Sequence, residues 1–260
     1  MPFQLIQVYA ALPAFALVLA RVAGIVLAAP FFSGTAIPVR IKTALVVAIT
    51  VAVFPMMVGY AQVPVNMTVA MGGLLGELAL GLLIGFSVSA VFMGVQLGIQ
   101  LASQQAGIAL GEVFNPMLES SLPVAAQIYF FVTMMIFLVT GGHHAVIRSM
   151  LDSFQTVPLM GFRPDENVVA LMIDILTIAF RVAVRVGGPM TLALLLGLMT
   201  LGFVSRTIPQ LNILSVGFPV KAAIVLVVMA LTIMSVENVL LDSMTQTLNG
   251  VRARLGLPAI

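Results

Sequence analysis

An all-α integral membrane fold follows from three observations on the 260-residue sequence. Charged residues make up 8% of the chain and hydrophobic ones 61%, against roughly 25% and 45–50% in soluble domains. The charges are also spaced far apart. None lies between Thr43 and Gly76, none between Glu77 and Glu112, and none between Glu119 and Arg148. Uncharged apolar runs beyond about 18 residues are too long for soluble strands and too unbroken for surface helices. In hydrocarbon each backbone amide must be satisfied within its own segment, so these runs read as helices.

Six apolar blocks are separated by Pro, Gly and the few charges. The first runs from about Leu5 to Ala29 and ends at Pro30. Its first basic residue is Arg21, deep in the run, so the block lacks the basic start of a secretory signal and reads as the first membrane segment. The second starts after Pro38 and ends near Phe54-Pro55. The third, about Asn66 to Gln104, is the longest. The fourth spans Leu122 to Thr140 and closes at Gly141-Gly142. The fifth covers Asp165 to Val204, with a break expected at Gly187-Gly188-Pro189. The sixth begins at Pro219 and fades near Leu248, before a short basic tail with Arg252 and Arg254. The whole chain, 1–260, reads as one membrane domain.

A third helix of about 39 residues would extend roughly 58 Å against a hydrocarbon core near 30 Å. Tilt alone cannot absorb that mismatch. The loops on the N-terminal side and the tail hold Arg148, Arg163, Arg252 and Arg254; the other side holds Arg40, Lys42 and Arg206, with Lys221 just inside the sixth block. This near balance gives no orientation by the positive-inside rule. Overlong helices without charge bias point to a subunit of a larger assembly.

Polar residues inside the blocks are the candidate functional positions. Arg21 reads either as a buried contact to a partner subunit or as a snorkelling anchor. Glu77, Gly81, Gly85 and Ser89 recur at steps of four, followed by Gln96, Gln100 and Gln104. Small residues at that spacing let helices approach closely, and glutamines can bond across the contact. The seam packs within the chain, faces another subunit or lines an aqueous conduit. His143-His144 lacks a ligand partner at i+3 or i+4, so it reads as capping a helix end rather than binding metal. Seventeen methionines read as adaptable packing.

With no Cys in the chain, disulfides and thiolate chemistry are excluded. The net charge of +2 comes from scattered residues, so no basic block marks nucleic acid. No metalloprotease, nucleophile-elbow, Walker or dinucleotide motif is present. Asp152, in an expected loop, and Asp174, at an expected helix start, share no motif. An enzyme is not expected, and no cofactor is.

The segment Arg206-Thr-Ile-Pro209-Gln210-Leu-Asn212-Ile-Leu-Ser-Val-Gly217-Phe218-Pro219-Val-Lys221 reads as a polar turn between the last two blocks. Pro219 suits a helix's first turn, and Lys221 would then oppose the macrodipole and require its own acceptor. This stretch resembles the FliR/SctT family of type III secretion export-gate proteins, on its flagellar branch. Further matches run in order: Arg21-Val-Ala-Gly24, Ile-Pro38-Val-Arg40-Ile-Lys42, Glu77 to Phe86, Gln104-Gln105-Ala-Gly107, Asn115-Pro116, Gly141-Gly142-His143-His144 and Ser153-Phe154. Asn115, where Asp is common, and Gly142, often Asn, depart from the pattern.

The resemblance implies a non-enzymatic, pore-forming role in the bacterial inner membrane and the flagellar basal body. FliP and FliQ would join the chain in a spiral of helical hairpins, and FlhB and FlhA would be further partners. Unfolded flagellar subunits would be the cargo. It also implies a pore plug in the loop Ala106 to Ser121, with Gly107, Leu110, Gly111, Glu112, Phe114, Asn115 and Pro116. The nearest competing reading is an injectisome export-gate subunit; a more distant one is a proton-coupled secondary transporter, with a midplane break at Gly187-Gly188-Pro189 and Glu77 as the coupling group.

Overall fold

The computed structural model describes residues 2–33, 37–57, 67–107, 123–162, 166–208 and 213–254. Among them are eight helices and no strand: α1 Pro2–Ala28, α2 Pro30–Ser33, α3 Val39–Met57, α4 Met67–Ala106, α5 Val124–Val139, α6 Gly142–Thr156, α7 Glu166–Thr207 and α8 Ile213–Arg254. Five are long and apolar enough to cross a membrane. The pair α5 and α6, bent by 66°, makes a sixth if counted as one span. The chain is an all-α integral membrane protein.

Two compact units divide it. The first comprises Met1–Ser89, Gly141–Ile175 and Thr245–Ile260. Here α1 lies against the first half of α4. A Cβ on Gly24 would stand 2.5 Å from the Leu78 carbonyl oxygen, and one on Gly85 2.6 Å from that of Ile25; one on Gly81 would strike the Arg21 carbonyl oxygen. Only glycine permits so close an approach. Ser89 extends the seam, its hydroxyl donating to the Ala28 carbonyl. The four-residue repeat from Glu77 to Ser89 therefore faces α1 of the same chain. Phe15 and Phe54 meet edge to face, 5.4 Å between centroids, and join α1 to α3.

The second unit comprises Ala90–Thr140 and Leu176–Met244. Gly94 and Gly98 of α4 press on the Ala179 and Ala183 carbonyls of α7, and Gly187 of α7 presses back on Gly98. Phe92 stacks edge to face on Phe137, centroids 5.5 Å apart. Tyr129 is fully buried; its hydroxyl donates to the Met229 carbonyl at 3.0 Å and lies 2.6 Å from the Thr232 hydroxyl. Consequently α5 is pinned to α8.

Several expectations are corrected. α7 runs unbroken through Gly187-Gly188-Pro189. Gly187 is there because Gly98 leaves no room for a side chain, and Pro189 forfeits one helical bond without ending the helix. α8 starts at Ile213, so Pro219 lies in its interior rather than its first turn. Lys221 stands beyond the first turn, where the dipole has faded. The helix then continues past Leu248 to Arg254, so the expected tail is helical. Asp152 lies in α6, not in a loop. Gly141, at φ +77, turns the chain into that helix, a conformation that glycine adopts without penalty.

Candidate functional site: a buried charge node

Arg21 and Glu77 are both fully buried and joined at 2.5 Å through Nε and Oε2. Arg21 projects from α1 and Glu77 from α4, brought together by the glycine seam beside them. Isolated in hydrocarbon, each charge would cost several kcal/mol, which the pair offsets only if the remaining polar atoms are also satisfied. They are. Arg21 Nη1 donates to the Ser153 carbonyl at 2.9 Å and Nη2 to the Val157 carbonyl at 3.1 Å. The guanidinium carbon sits 4.3 Å from the centroid of the Phe154 ring, an attractive placement for a cation. The other oxygen of Glu77, Oε1, accepts from the Met160 amide at 2.8 Å.

The chemistry of this site is fixation: the polar atoms of the pair are held by neighbours in the same chain. Arg21 braces the C-terminal end of α6: it adds a second donor to the Ser153 carbonyl, which also accepts from the Val157 amide, and gives the Val157 carbonyl a donor beyond the helix end. Glu77 holds Met160 at φ +66, a left-handed backbone that a side chain adopts at some cost. Together they fasten the 157–162 connection to α1 and α4. A planar fork with several donors is needed to reach a carboxylate and two carbonyls at once. Arg21 thus meets its partners within the chain.

Further ion pairs in the first unit went unread in the sequence. Arg252 lies 2.6 Å from Asp152, with side chains 4% and 22% exposed. Arg254 meets Asp174 at 2.7 Å. In the second unit Arg185 stands 4.0 Å from Asp242, both open to the surroundings. Opposite charges within the helices were the available signal, yet spacing alone could not pair them.

The remaining candidates are scattered. Arg40 is exposed and Lys42 half-buried at the start of α3. Gln96 and Gln100 are half-buried and Gln104 exposed on the second half of α4. Arg206 is exposed at the end of α7; on α8 Gly217 is buried, Phe218 and Pro219 are exposed, and Lys221 is half-buried. Gly107, at φ +81, ends α4 by donating to the Gln104 carbonyl at 3.0 Å. Leu110, Gly111, Glu112, Phe114, Asn115, Pro116, Pro209, Gln210 and Asn212 lie outside the described residues. The capping expectation for His143-His144 is corrected: no side chain caps the start of α6. The two rings instead lie against each other, centroids 4.0 Å apart.

The model of the bacterial export proteins, family 1, matches residues 12–247. The chain belongs to this family. It is 27% identical to the flagellar biosynthetic protein FliR of Escherichia coli (strain K12), over 82% of this chain and 81% of that protein. It is 25% identical to FliR of Caulobacter vibrioides, over 94% and 96%. Yop proteins translocation protein T of Yersinia pestis is 24% identical over 72% of each chain. FliR/SctT membership therefore covers the flagellar and the Yop-translocation relatives alike, and it makes this chain a component of an export apparatus.

Proposed function

We propose that the chain is a structural, pore-forming subunit of the flagellar type III export gate, assembling with FliP and FliQ homologues in the bacterial inner membrane. Unfolded flagellar proteins would pass through that gate, with FlhB and FlhA homologues as further partners. The observation that carries the reading is the near end-to-end similarity to FliR. The distribution of covered surface supports it. Within their apolar windows α4 is 72% buried, whereas α3 is 11% and α7 and α8 are 22% buried, leaving long faces for neighbouring subunits or lipid. The transporter reading loses its main support, because α7 has no break at Gly187-Gly188-Pro189.

Co-expression with FliP and FliQ homologues should convert an unstable or heterogeneous chain into one complex that survives detergent extraction. A well-folded monomer that never joins those subunits would overturn the proposal. Substituting homologues from a Yop-type system separates the two branches: the flagellar reading expects them to give less complex than flagellar ones.

The plug proposal has its own test. The segment Ala106 to Ser121 combines Gly107 and Gly111 with the apolar Leu110 and Phe114 and with Pro116; glycine favours a flexible backbone and proline stops helix propagation. Deleting Leu110 to Pro116 should leave the complex assembled while ions leak through it, read as membrane conductance or salt-sensitive growth. An assembled deletion complex as tight as the parent would show that this loop is not the plug.

A further inference from the structure

We propose that the last turns of α8, residues 245–254, form a strap that closes the first compact unit and opens without unfolding the second. The boundary between the units falls inside this helix. Its residues up to Met244 belong to the second unit, and those from Thr245 onward to the first. The rest of the first unit comes from Met1–Ser89 and Gly141–Ile175, so that unit is complete only when this stretch of α8 has returned to it.

The strap is held by little apolar area and by two ion pairs. Thr247, Leu248, Val251 and Arg252 share one helical face and are buried, while Thr245, Gln246, Ala253 and Arg254 are exposed. Leu248 and Val251 are thus its only large apolar side chains, and both point inward. Arg252 meets Asp152 of α6 at 2.6 Å, and Arg254 meets Asp174 of α7 at 2.7 Å. These pairs are unequal. Arg252 and Asp152 have side chains 4% and 22% exposed, so salt screens them little and removing one partner strands the other. Arg254 and Asp174, at 34% and 49%, form a surface pair that contributes little.

Gly250 weakens the strap from within. A Cβ there would meet nothing within 4 Å beyond its own helical turn, so no neighbour demands glycine, and glycine is a poor residue for a helix interior. A segment with few buried apolar contacts and a weak local helix opens at lower cost than a packed core. The part of α8 in the second unit is held differently. It buries Val225, Met229, Val236 and Leu240, and its Met229 carbonyl accepts from the Tyr129 hydroxyl. Opening of the strap takes both arginines away from Asp152 and Asp174, so the first unit gains acidic surface only in the open state.

With no native Cys in the chain, thiol labelling reads the opening directly. Val251→Cys on the strap and Val236→Cys in the second unit replace valines 2% and 1% exposed on one helix. Each full-length variant is extracted with whatever subunits accompany it and labelled with a maleimide, its rate normalised to that of the unfolded protein. Adding Arg252→Gln should speed labelling at 251 by about tenfold or more and leave the rate at 236 unchanged. Arg254→Gln should have a smaller effect, and Arg252→Lys should restore much of the protection. Gly250→Ala keeps both ion pairs and should slow labelling at 251, which tests the same opening where Arg252→Gln fails to accumulate. Unchanged labelling at 251 in Arg252→Gln, an equal rise at 236, or no slowing in Gly250→Ala would overturn the strap.

Discussion

Replacing Arg21 by alanine is expected to destabilise the chain by about 3–5 kcal/mol, the usual consequence of leaving one member of a buried ion pair without its partner. Glu77 would then be a carboxylate with no exposed surface and only the Met160 amide bonded to it. The Val157 carbonyl would lose its Arg21 donor as well, while the Ser153 carbonyl would keep only the Val157 amide. Arg21→Lys should recover part of the loss, since an ammonium can reach Glu77 but cannot also serve two diverging carbonyls. Glu77→Gln should be milder than Glu77→Ala, because the amide oxygen still accepts from Met160. Combining Arg21→Ala with Glu77→Ala should cost less than the sum of the single changes, the mark of directly coupled residues. The measurements are membrane yield and melting temperature of the extracted protein. Additive losses, or wild-type values for Arg21→Ala, would contradict the node described here.

Long uncharged stretches were legible almost to the residue. The third block, read as Asn66 to Gln104, is α4 at Met67–Ala106, because nothing polar competes with helix there. The fold class followed from the same property. What failed was local punctuation. Gly-Gly-Pro looked like a break, but Gly187 answers to Gly98 on another helix, and a contact between distant residues cannot be read from either neighbourhood. Pro219 looked like a start because the helix-forming run before it is short and preceded by polar residues. α6 was missed entirely: its sequence, rich in His, Ser and Gln, lacks the apolar density that marked every other segment. Arg21 and Glu77 were conspicuous as expensive residues, yet 56 positions separate them. The backbone carbonyls that complete the node carry no sequence signal at all.

The glycines of α4 and α7 allow a sharper comparison. A Cβ on Gly98 would strike the Ala183 carbonyl oxygen and lie 3.0 Å from the Gly187 nitrogen. A Cβ on Gly187 would lie 2.7 Å from the Gly98 carbonyl carbon. These obstacles are backbone atoms, which cannot rotate away as a side chain can, so any larger residue must push the helices apart. Overpacking of this kind costs about 1–3 kcal/mol for a small addition and more for a large one. Gly98→Ala should therefore destabilise the protein and Gly98→Leu should prevent it from accumulating. Gly202, on the same helix as Gly187, meets nothing within 4 Å of its Cβ position beyond its own helical turn. There alanine should be neutral or stabilising by up to about 1 kcal/mol, since glycine is the poorer helix former. Opposite signs at Gly187 and Gly202 of one helix test packing rather than helix propensity, which treats the two glycines alike. Thermal melting of the extracted protein decides it. If Gly98→Ala and Gly187→Ala melt no lower than Gly202→Ala, α4 and α7 do not touch at this seam.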